Sequence, residues 1–204
     1  MTLDTLRPVA ERLLDPFVAG AKRLGLTPDA VSVLALLTAI GAGVAFAFAA
    51  ELRLLYLLGA VLVLWNGIFD LLDGALAREL DSQSDAGDLL DHVLDRYADI
   101  LIISGLAAGV GQYALGLAAI TGVLMTSYLG TQAQAVGLDR VYGGLLGRAD
   151  RLALIGVVAT VAAVIDATAL GLTAVGWLLV IFAVVGHLTA LQRFYYAMRA
   201  LGGD

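Results

Sequence analysis

Long apolar segments separated by short polar ones dominate the hydrophobic pattern of this chain. The mostly apolar segments cover residues 30–50, 54–79, 152–165 and 167–192, together with the uncharged stretch between Asp99 and Asp139. That stretch is too long for one helix, and Gly109, Gly111 and Gln112 offer a turn that divides it into two. Because a membrane-spanning helix needs about 20 mostly apolar residues, the pattern predicts an all-α, polytopic membrane protein with six transmembrane helices.

The first 24 residues follow a different pattern, in which apolar and basic positions alternate around a helix. The apolar positions at helical spacing are Leu3, Leu6, Val9, Leu13, Phe17 and Ala21. The basic residues between them are Arg7, Arg12, Lys22 and Arg23. This segment is too charged to span a bilayer, so we expect an amphipathic helix over residues 1–24 that lies in the membrane interface. Thr27 and Pro28 suit the cap and first position of the span that follows.

Composition narrows the class of protein further. Of the 204 residues, 60% are hydrophobic and 15% are charged, whereas soluble domains are nearer 45–50% apolar and about 25% charged. A water-soluble globule and a disordered chain are both excluded. The formal net charge of −6 argues against a nucleic-acid partner, and the absence of cysteine excludes disulfides and thiolate chemistry.

The basic residues indicate the orientation. Six spans place both termini on one side, and eleven of the twelve basic residues fall on that side, with Arg53 on the other. The positive-inside rule then predicts that both termini are cytoplasmic. We expect a single membrane domain over residues 1–204, consisting of the interfacial helix and a six-helix bundle over residues 28–201.

Four aspartates form two pairs on the second and third predicted spans. Asp70 and Asp73 are three residues apart and Asp91 and Asp95 are four apart, so each pair shares one helix face. The loop between the spans, residues 81–86, is short. The two spans are therefore expected to be antiparallel neighbours whose aspartates converge.

The depth of this cluster suggests its chemistry. Asp70 lies 17 residues beyond Arg53, about 25 Å along a helix, which places it near the cytoplasmic surface of a hydrocarbon core about 30 Å thick. Four carboxylates gathered there repel one another, and divalent cations remove that repulsion. An all-oxygen site suits Mg²⁺ or Mn²⁺, and two such ions can clamp a pyrophosphate. A purely structural role is common for one intramembrane aspartate, but not for four at matched spacing.

The residues around the aspartates complete a recognisable pattern. Residues 70–95 read Asp-x2-Asp-Gly-x2-Ala-Arg-x8-Gly-x3-Asp-x3-Asp, which resembles the signature of the CDP-alcohol phosphatidyltransferase family at every position. Members of that family transfer a phosphatidyl or archaetidyl group from a CDP-activated lipid to an alcohol and release CMP. The six-span length and topology extend the resemblance to nearly the whole chain.

The resemblance implies a role for each position of the motif. Asp70, Asp73, Asp91 and Asp95 would hold two Mg²⁺ or Mn²⁺ ions, and Asp91 and Asp95 would form the catalytic centre, with Asp95 as a further ligand or as the base that deprotonates the acceptor. The residues expected to contact the CDP group are Gly74, Ala77, Arg78 and Gly87. Asp29 is assigned to the same nucleotide site, with helix capping as its alternative role. The resemblance also implies a homodimer.

The acceptor is predicted from residues outside the motif. Ser127, Arg148, Arg151 and Arg193 resemble the pocket that holds the acceptor phosphate in the inositol-phosphate branch of the family, and arginine suits bidentate phosphate recognition. That branch has a lysine three residues after the serine, where this chain has Gly130. A polyol phosphate, either glycerol phosphate or inositol phosphate, is the predicted acceptor. An amino alcohol such as serine is the alternative.

Two other classes of protein share some of these features. Intramembrane prenyltransferases use aspartate-rich motifs to bind Mg²⁺-pyrophosphate, but they resemble bundles of about nine spans and their first motif has a different order. A divalent-cation transporter, or a lipid-binding protein without activity, is the other alternative. Transport favours acidic residues near the middle of the membrane on several spans, whereas these acidic residues lie at one edge on two spans.

Overall fold

The computed structural model describes residues 7–138 and 146–202, with residues 7–13 described by their backbone alone. These residues form seven α-helices and one short hairpin. The helices are α1 (Arg7–Arg23), α2 (Pro28–Ala47), α3 (Leu54–Glu79), α4 (Asp85–Gly109), α5 (Tyr113–Ala135), α6 (Arg148–Val164) and α7 (Ala174–Gly202). The hairpin pairs β1 (Thr168–Ala169) with β2 (Leu172–Thr173). The predicted helical fold class is confirmed.

Several helix ends lie where polar residues can cap them. Thr27 Oγ1 accepts a 3.2 Å hydrogen bond from the Ala30 N–H at the start of α2, as predicted. Ser84 Oγ accepts a 3.1 Å bond from the Gly87 N–H at the start of α4. The predicted turn between α4 and α5 is also present, with Gly111 at a φ of +67°, a conformation that glycine adopts without strain.

The boundaries of the last helix differ from the predicted span of 167–192. The hairpin occupies the beginning of that range, because Leu170 and Gly171 form its turn at φ values of +51° and +78°. Trp177 Nε1 donates a 2.9 Å hydrogen bond to the Ala169 carbonyl and ties the hairpin to α7. The helix then continues to Gly202, ten residues beyond the predicted end.

Four of the described helices are long and apolar enough to cross a membrane, namely α2, α3, α5 and α7. The predicted number was six. Helix α6 has 17 residues, which is at the lower end of the length that spans a hydrocarbon core. Every 18-residue stretch of α4 contains at least three charged residues, because Asp95, Arg96 and Asp99 lie near its middle. These four helices indicate that the chain is an integral membrane protein.

Close backbone contacts between helices set the shape of the bundle. A Cβ on Gly43 of α2 would lie 2.6 Å from the Leu101 carbonyl oxygen of α4, and a Cβ on Gly186 of α7 would lie 2.7 Å from the backbone of Gly122 of α5. Glycine at such positions lets two membrane helices approach closely. Large side chains such as Phe46 and Phe182 fill the buried core.

The helix contacts determine which side chains can meet at one end of the bundle. Helix α2 packs along both α3 and α4, and in the described part of the chain α3 and α4 make little direct contact with each other. The prediction that these two helices are packed neighbours is therefore wrong, because α2 lies against both of them. Helix α6 packs against α3, and α5 packs against α7. Helix α1 lies against α3, where Lys22 Nζ is 2.8 Å from Glu79 Oε1. The ends of α3, α4 and α6 that carry polar residues therefore face a common space.

Candidate active site

Three aspartate side chains converge between α3 and α4. Asp70 lies on α3, and Asp91 and Asp95 lie on successive turns of α4. One carboxylate oxygen from each of these residues lies within 4.8 Å of the oxygens of the other two. We call these three residues the carboxylate triad; all of them are partly buried. Three of the four predicted metal ligands are thus brought together.

The fourth predicted ligand, Asp73, lies outside the triad. Its Oδ2 accepts a 2.6 Å hydrogen bond from Ser32 Oγ on α2, and its Oδ1 accepts a 2.6 Å bond from the Gly74 N–H. The residue is 7% exposed. In this structure Asp73 connects α3 to α2, and its role as a metal ligand stays a prediction.

Arg148 occupies a position beside the triad that the sequence did not anticipate. Its Nη1 donates to Asp70 Oδ1, and its Nη2 lies 2.7 Å from Asp95 Oδ1. Nη2 also lies 3.5 Å from Asn66 Oδ1, one turn before Asp70 on α3. The sequence assigned Arg148 to the acceptor pocket, whereas the structure places its guanidinium between two of the predicted metal ligands.

A second, more deeply buried ion pair lies one helical turn further along. Arg151 Nη2 is 2.9 Å from Asp99 Oδ2, and the two side chains are 7% and 6% exposed. Arg96 adds a weaker contact, with its Nη2 at 3.7 Å from the same oxygen. Arg148 on α6 therefore pairs with Asp95 on α4. One turn further along each helix, Arg151 pairs with Asp99.

The donor atoms of the triad fit a divalent cation. Carboxylate oxygens are the ligands that Mg²⁺ and Mn²⁺ prefer, and three of them lie within the span that one or two such ions can bridge. Three carboxylates this close also repel one another in a partly buried setting. A cation with two positive charges offsets that repulsion more fully than the single charge of Arg148.

The residues assigned to the nucleotide lie in the last turns of α3 and at the starts of α2 and α4. A Cβ on Gly74 would lie 3.6 Å from Arg78 Nη1, so these two residues adjoin on α3. A Cβ on Gly87 would lie 3.7 Å from Asp29 Oδ1, which places the start of α2 beside the start of α4. Ala77 is partly buried on the same helix as Gly74. The structure thus groups the five residues into two neighbouring pairs and one flanking alanine.

Two of the residues assigned to the acceptor lie beside Thr126 on α5. Arg193 Nη1 donates a 2.7 Å hydrogen bond to the Thr126 carbonyl. Arg151 lines a small cavity together with Thr126 and Thr189. Ser127 follows Thr126 in sequence and is partly buried. Arg151, Arg193 and Ser127 therefore share one region, while Arg148 lies apart from them at the triad.

Sequence reasoning missed several polar residues that the structure places at the site. Asp99 continues the four-residue spacing of Asp91 and Asp95, and Asn66 precedes Asp70 by one turn, so both were detectable from spacing. Ser32 and Thr126 were not, because single hydroxyl residues are common in membrane helices and often bond to their own backbone. Ser32 does so as well, with its Oγ 3.2 Å from the Pro28 carbonyl.

Comparison with known families agrees with this arrangement of residues. Residues 25–187 match the model of the CDP-alcohol phosphatidyltransferase family. The chain belongs to this family. It is a metal-dependent, CDP-alcohol phosphatidyltransferase of phospholipid biosynthesis in the membrane, and this excludes the prenyltransferase and transporter alternatives.

Individual members of the family resemble the chain over most of its length. The archaetidylinositol phosphate synthase of Methanothermobacter thermautotrophicus is 30% identical over 98% of this chain and 95% of that protein. Among solved structures, the Mycobacterium tuberculosis phosphatidylinositol phosphate synthase with CDP-DAG bound is 27% identical, with a TM-score of 0.77 over 91% of this chain and 94% of that one. The same enzyme in complex with manganese and citrate gives a TM-score of 0.76 over 90% and 88% of the two chains.

Proposed function

We propose that this transferase moves the phosphatidyl or archaetidyl group of a CDP-lipid onto inositol phosphate and releases CMP. The observation that carries the proposal is the carboxylate triad of Asp70, Asp91 and Asp95. Arg151 and Arg193, which lie beside Thr126, supply the cations for an acceptor phosphate. The triad accounts for the transfer chemistry that the family shares. The two arginines account for an acceptor that is itself charged.

The chemistry follows from the positions of the carboxylates. The acceptor hydroxyl attacks the lipid-side phosphorus of the CDP-lipid, a new P–O bond forms, and the P–O bond to CMP breaks. Asp95 accepts the hydroxyl proton, because it is the triad member on α4 that lies nearest to Arg151 along that face. Two divalent ions held by the motif aspartates, when bound, stabilise the charge on the diphosphate and on the departing CMP.

The CDP group lies, in this proposal, over the beginning of α4 and the end of α3. Gly74 and Ala77 leave space against α3, while Arg78 pairs with a phosphate. Gly87 leaves room for the nucleotide beside Asp29, where a Cβ would already crowd Ser84 Oγ at 3.3 Å. Asp29 is exposed at the start of α2 and accepts hydrogen bonds from the cytidine or its ribose.

Inositol phosphate is preferred over the other acceptors because two kinds of evidence agree. Relatives that match most of this chain are named archaetidylinositol phosphate synthase and phosphatidylinositol phosphate synthase, and the cations Arg151 and Arg193 beside Thr126 support an acceptor that carries a phosphate. An uncharged or zwitterionic acceptor such as serine gives these arginines no phosphate to bind. Gly130, which replaces the lysine of the inositol-phosphate branch, leaves one cation fewer and makes glycerol phosphate the competing acceptor.

The topology follows from the same placement. All six long helices cross the bilayer, the charged residues of α4 and α6 extend from the cytoplasmic end of each helix, in α4 as far as its middle, and α1 lies in the interface. Both termini and the site then face the cytoplasm, where the basic residues are concentrated. The functional form is a homodimer, as the family resemblance implies.

The test is an acceptor panel with purified protein in detergent or nanodiscs. CDP-diacylglycerol and a CDP-archaeol analogue are each incubated with Mn²⁺ or Mg²⁺ and with inositol phosphate, glycerol phosphate or serine, and the lipid products are identified by mass spectrometry. We expect a phosphatidyl- or archaetidylinositol phosphate as the main product. A product formed preferentially with glycerol phosphate or serine would overturn the acceptor assignment while leaving the transfer chemistry in place.

A further inference from the structure

Arg148 contacts two of the three carboxylates that form the candidate metal site. Its guanidinium contacts Asp70 and Asp95, one carboxylate from each of the two helices that build the triad. The side chain is 15% exposed, and the side chains of Asp70 and Asp95 are 26% and 16% exposed. The guanidinium thus bridges two carboxylates that are partly shielded from water. Hydrogen bonds between charged groups are strong in such a setting.

The charge balance explains why a cation is needed at this position. The triad brings three carboxylates within 4.8 Å of one another. Without a nearby positive charge, their repulsion in a partly buried site opposes the approach of α3 and α4 and destabilises the fold. Arg148 supplies one positive charge, which partly neutralises the triad.

The attachment of Arg148 allows its guanidinium to leave without moving the helix. Its backbone begins α6, where the Gly147 N–H donates to Asp150 Oδ2 at 2.9 Å and fixes the first turn. Its Nε is buried without a hydrogen-bond partner among the described residues. Its contact with Asn66 Oδ1 is long, at 3.5 Å. The guanidinium therefore does not satisfy all of its hydrogen-bond donors in this position, and it is attached through a long, rotatable side chain.

We propose that Arg148 is a built-in counter-cation of the carboxylate triad, which leaves Asp70 and Asp95 when a divalent metal ion binds. The triad then holds either the guanidinium or the metal on these oxygens, and the two are antagonistic. After it leaves, the guanidinium is one side-chain length from the site and available to a substrate phosphate. This inference rests on the proposed metal-binding function of the triad.

The proposed competition predicts the direction in which metal affinity changes when Arg148 is replaced. An arginine that must be displaced weakens metal binding, so replacing it with an uncharged side chain of similar length strengthens metal binding. Coupling between two binding events commonly changes affinity by about 5- to 150-fold. We expect Arg148→Met to bind Mn²⁺ about tenfold more tightly than the unmodified protein.

The experiment measures Mn²⁺ binding by electron paramagnetic resonance of the free ion, with detergent-purified protein and no lipid substrate. Arg148→Met and Arg148→Lys are compared with the unmodified protein and with Arg53→Gln. The last variant removes an equal charge at the opposite end of the bundle, where Arg53 Nη1 lies 3.5 Å from Asp166 Oδ2. We expect tighter binding in Arg148→Met, an intermediate value in Arg148→Lys, and no change in Arg53→Gln.

Stability provides a second readout from the same samples. Arg148→Met leaves the triad without a counter-charge, so its Tm in EDTA falls below that of the unmodified protein, and Mn²⁺ raises it by more. If Arg148→Met cannot be purified, Arg148→Lys carries the test, because lysine keeps the charge but cannot fork across two carboxylates. Mn²⁺ affinity that is unchanged or weaker in the Arg148 variants would overturn the inference.

A further variant separates this inference from the proposed function. Asp91→Asn removes a triad carboxylate that Arg148 does not contact in the structure, so it weakens Mn²⁺ binding without disturbing the contacts of Arg148. If Asp91→Asn binds Mn²⁺ as the unmodified protein does, the metal site itself is wrong. If Asp91→Asn loses Mn²⁺ binding while Arg148→Met changes nothing, the metal site stands and only the role of Arg148 fails.

Discussion

Arg151 on α6 and Asp99 on α4 form an ion pair with their nitrogen and oxygen 2.9 Å apart, almost completely buried in the middle of the bundle. The pair joins the region of the carboxylate triad to the region of Thr126, because Asp99 follows Asp95 by one turn and Arg151 lines the cavity beside Thr126. Asp99 therefore fixes the position of an arginine assigned to the acceptor phosphate.

Asp99→Asn is expected to reduce both stability and acceptor binding. The change keeps the size of the side chain but leaves the Arg151 guanidinium buried without its main counter-charge. Breaking a buried ion pair costs about 3–5 kcal/mol, so we expect a Tm lower by several degrees in detergent. We also expect the KM for inositol phosphate to rise more than the KM for CDP-lipid, because the misplaced arginine belongs to the acceptor region.

A matched control for this change is Asp166→Asn. Asp166 also faces an arginine, Arg53, but its side chain is 78% exposed, and exposed ion pairs contribute little to stability. We expect its Tm and both KM values to stay close to those of the unmodified protein. If Asp99→Asn lowers the Tm and leaves the acceptor KM unchanged, Asp99 has a structural role alone.

Arg193→Ala tests the acceptor region from the other side. Arg193 donates to the Thr126 carbonyl of α5, and we proposed above that it binds the acceptor phosphate. We expect the KM for the phosphorylated acceptor to rise at least tenfold, about 1.4 kcal/mol of lost binding, with a small change in the KM for CDP-lipid. Steady-state kinetics with each substrate varied in turn give both values.

The control for Arg193 is Arg199→Ala, which removes an equal charge in the last turn of the same helix. Arg199 is exposed and lies away from Thr126, so its loss should leave both KM values unchanged. Equal increases for acceptor and CDP-lipid in Arg193→Ala would remove this arginine from the acceptor pocket.

Gly74→Ala tests the nucleotide region without disturbing the fold. The nearest atom that a Cβ would meet there is Arg78 Nη1 at 3.6 Å, an ordinary contact with a flexible side chain. We expect an unchanged or slightly higher Tm, because alanine has a better helix propensity than glycine, and a raised KM for CDP-lipid. Gly156→Ala on α6, where a Cβ would meet nothing within 4 Å, is the control: its Tm should likewise stay the same or rise slightly, and its KM for CDP-lipid should not change. A normal KM in Gly74→Ala would show that α3 is not in contact with the nucleotide.

Much of the fold could be predicted from the hydrophobic pattern alone. The bounds 54–79 predicted for the second span are those of α3, and the Gly109–Gln112 turn lies where expected, because long apolar runs and glycine turns are local signals. The start of α7 was wrong because the hairpin at Leu170 and Gly171 interrupts an apolar segment without any charge to mark it. The end of α7 was also wrong, since aromatic residues after Arg193 continue the helix into the region expected to be interfacial.

The part of the site that lies on a single helix face could be predicted from the sequence. Asp91 and Asp95 share a face of α4 by spacing alone, and Asp70 meets them. The positions of Asp73 and Arg148 were not predictable, because they depend on which neighbouring helix each face meets. Asp73 faces Ser32 on α2, and Arg148 on α6 reaches α3 and α4. The spacing of residues along the chain does not predict how separate helices pack against one another.

The most direct test of this account measures CMP release from CDP-lipid as a function of divalent metal and acceptor, in the unmodified protein and in Asp91→Asn. Asp85→Asn, at an exposed position in the first turn of the same helix, serves as the control. We predict that the unmodified protein and Asp85→Asn release CMP only when Mg²⁺ or Mn²⁺ and an acceptor alcohol are both present. Asp91→Asn should fold normally and lose at least a hundredfold in rate, about 2.7 kcal/mol of transition-state stabilisation. Full activity in folded Asp91→Asn, or release of CMP without any divalent metal, would contradict the account.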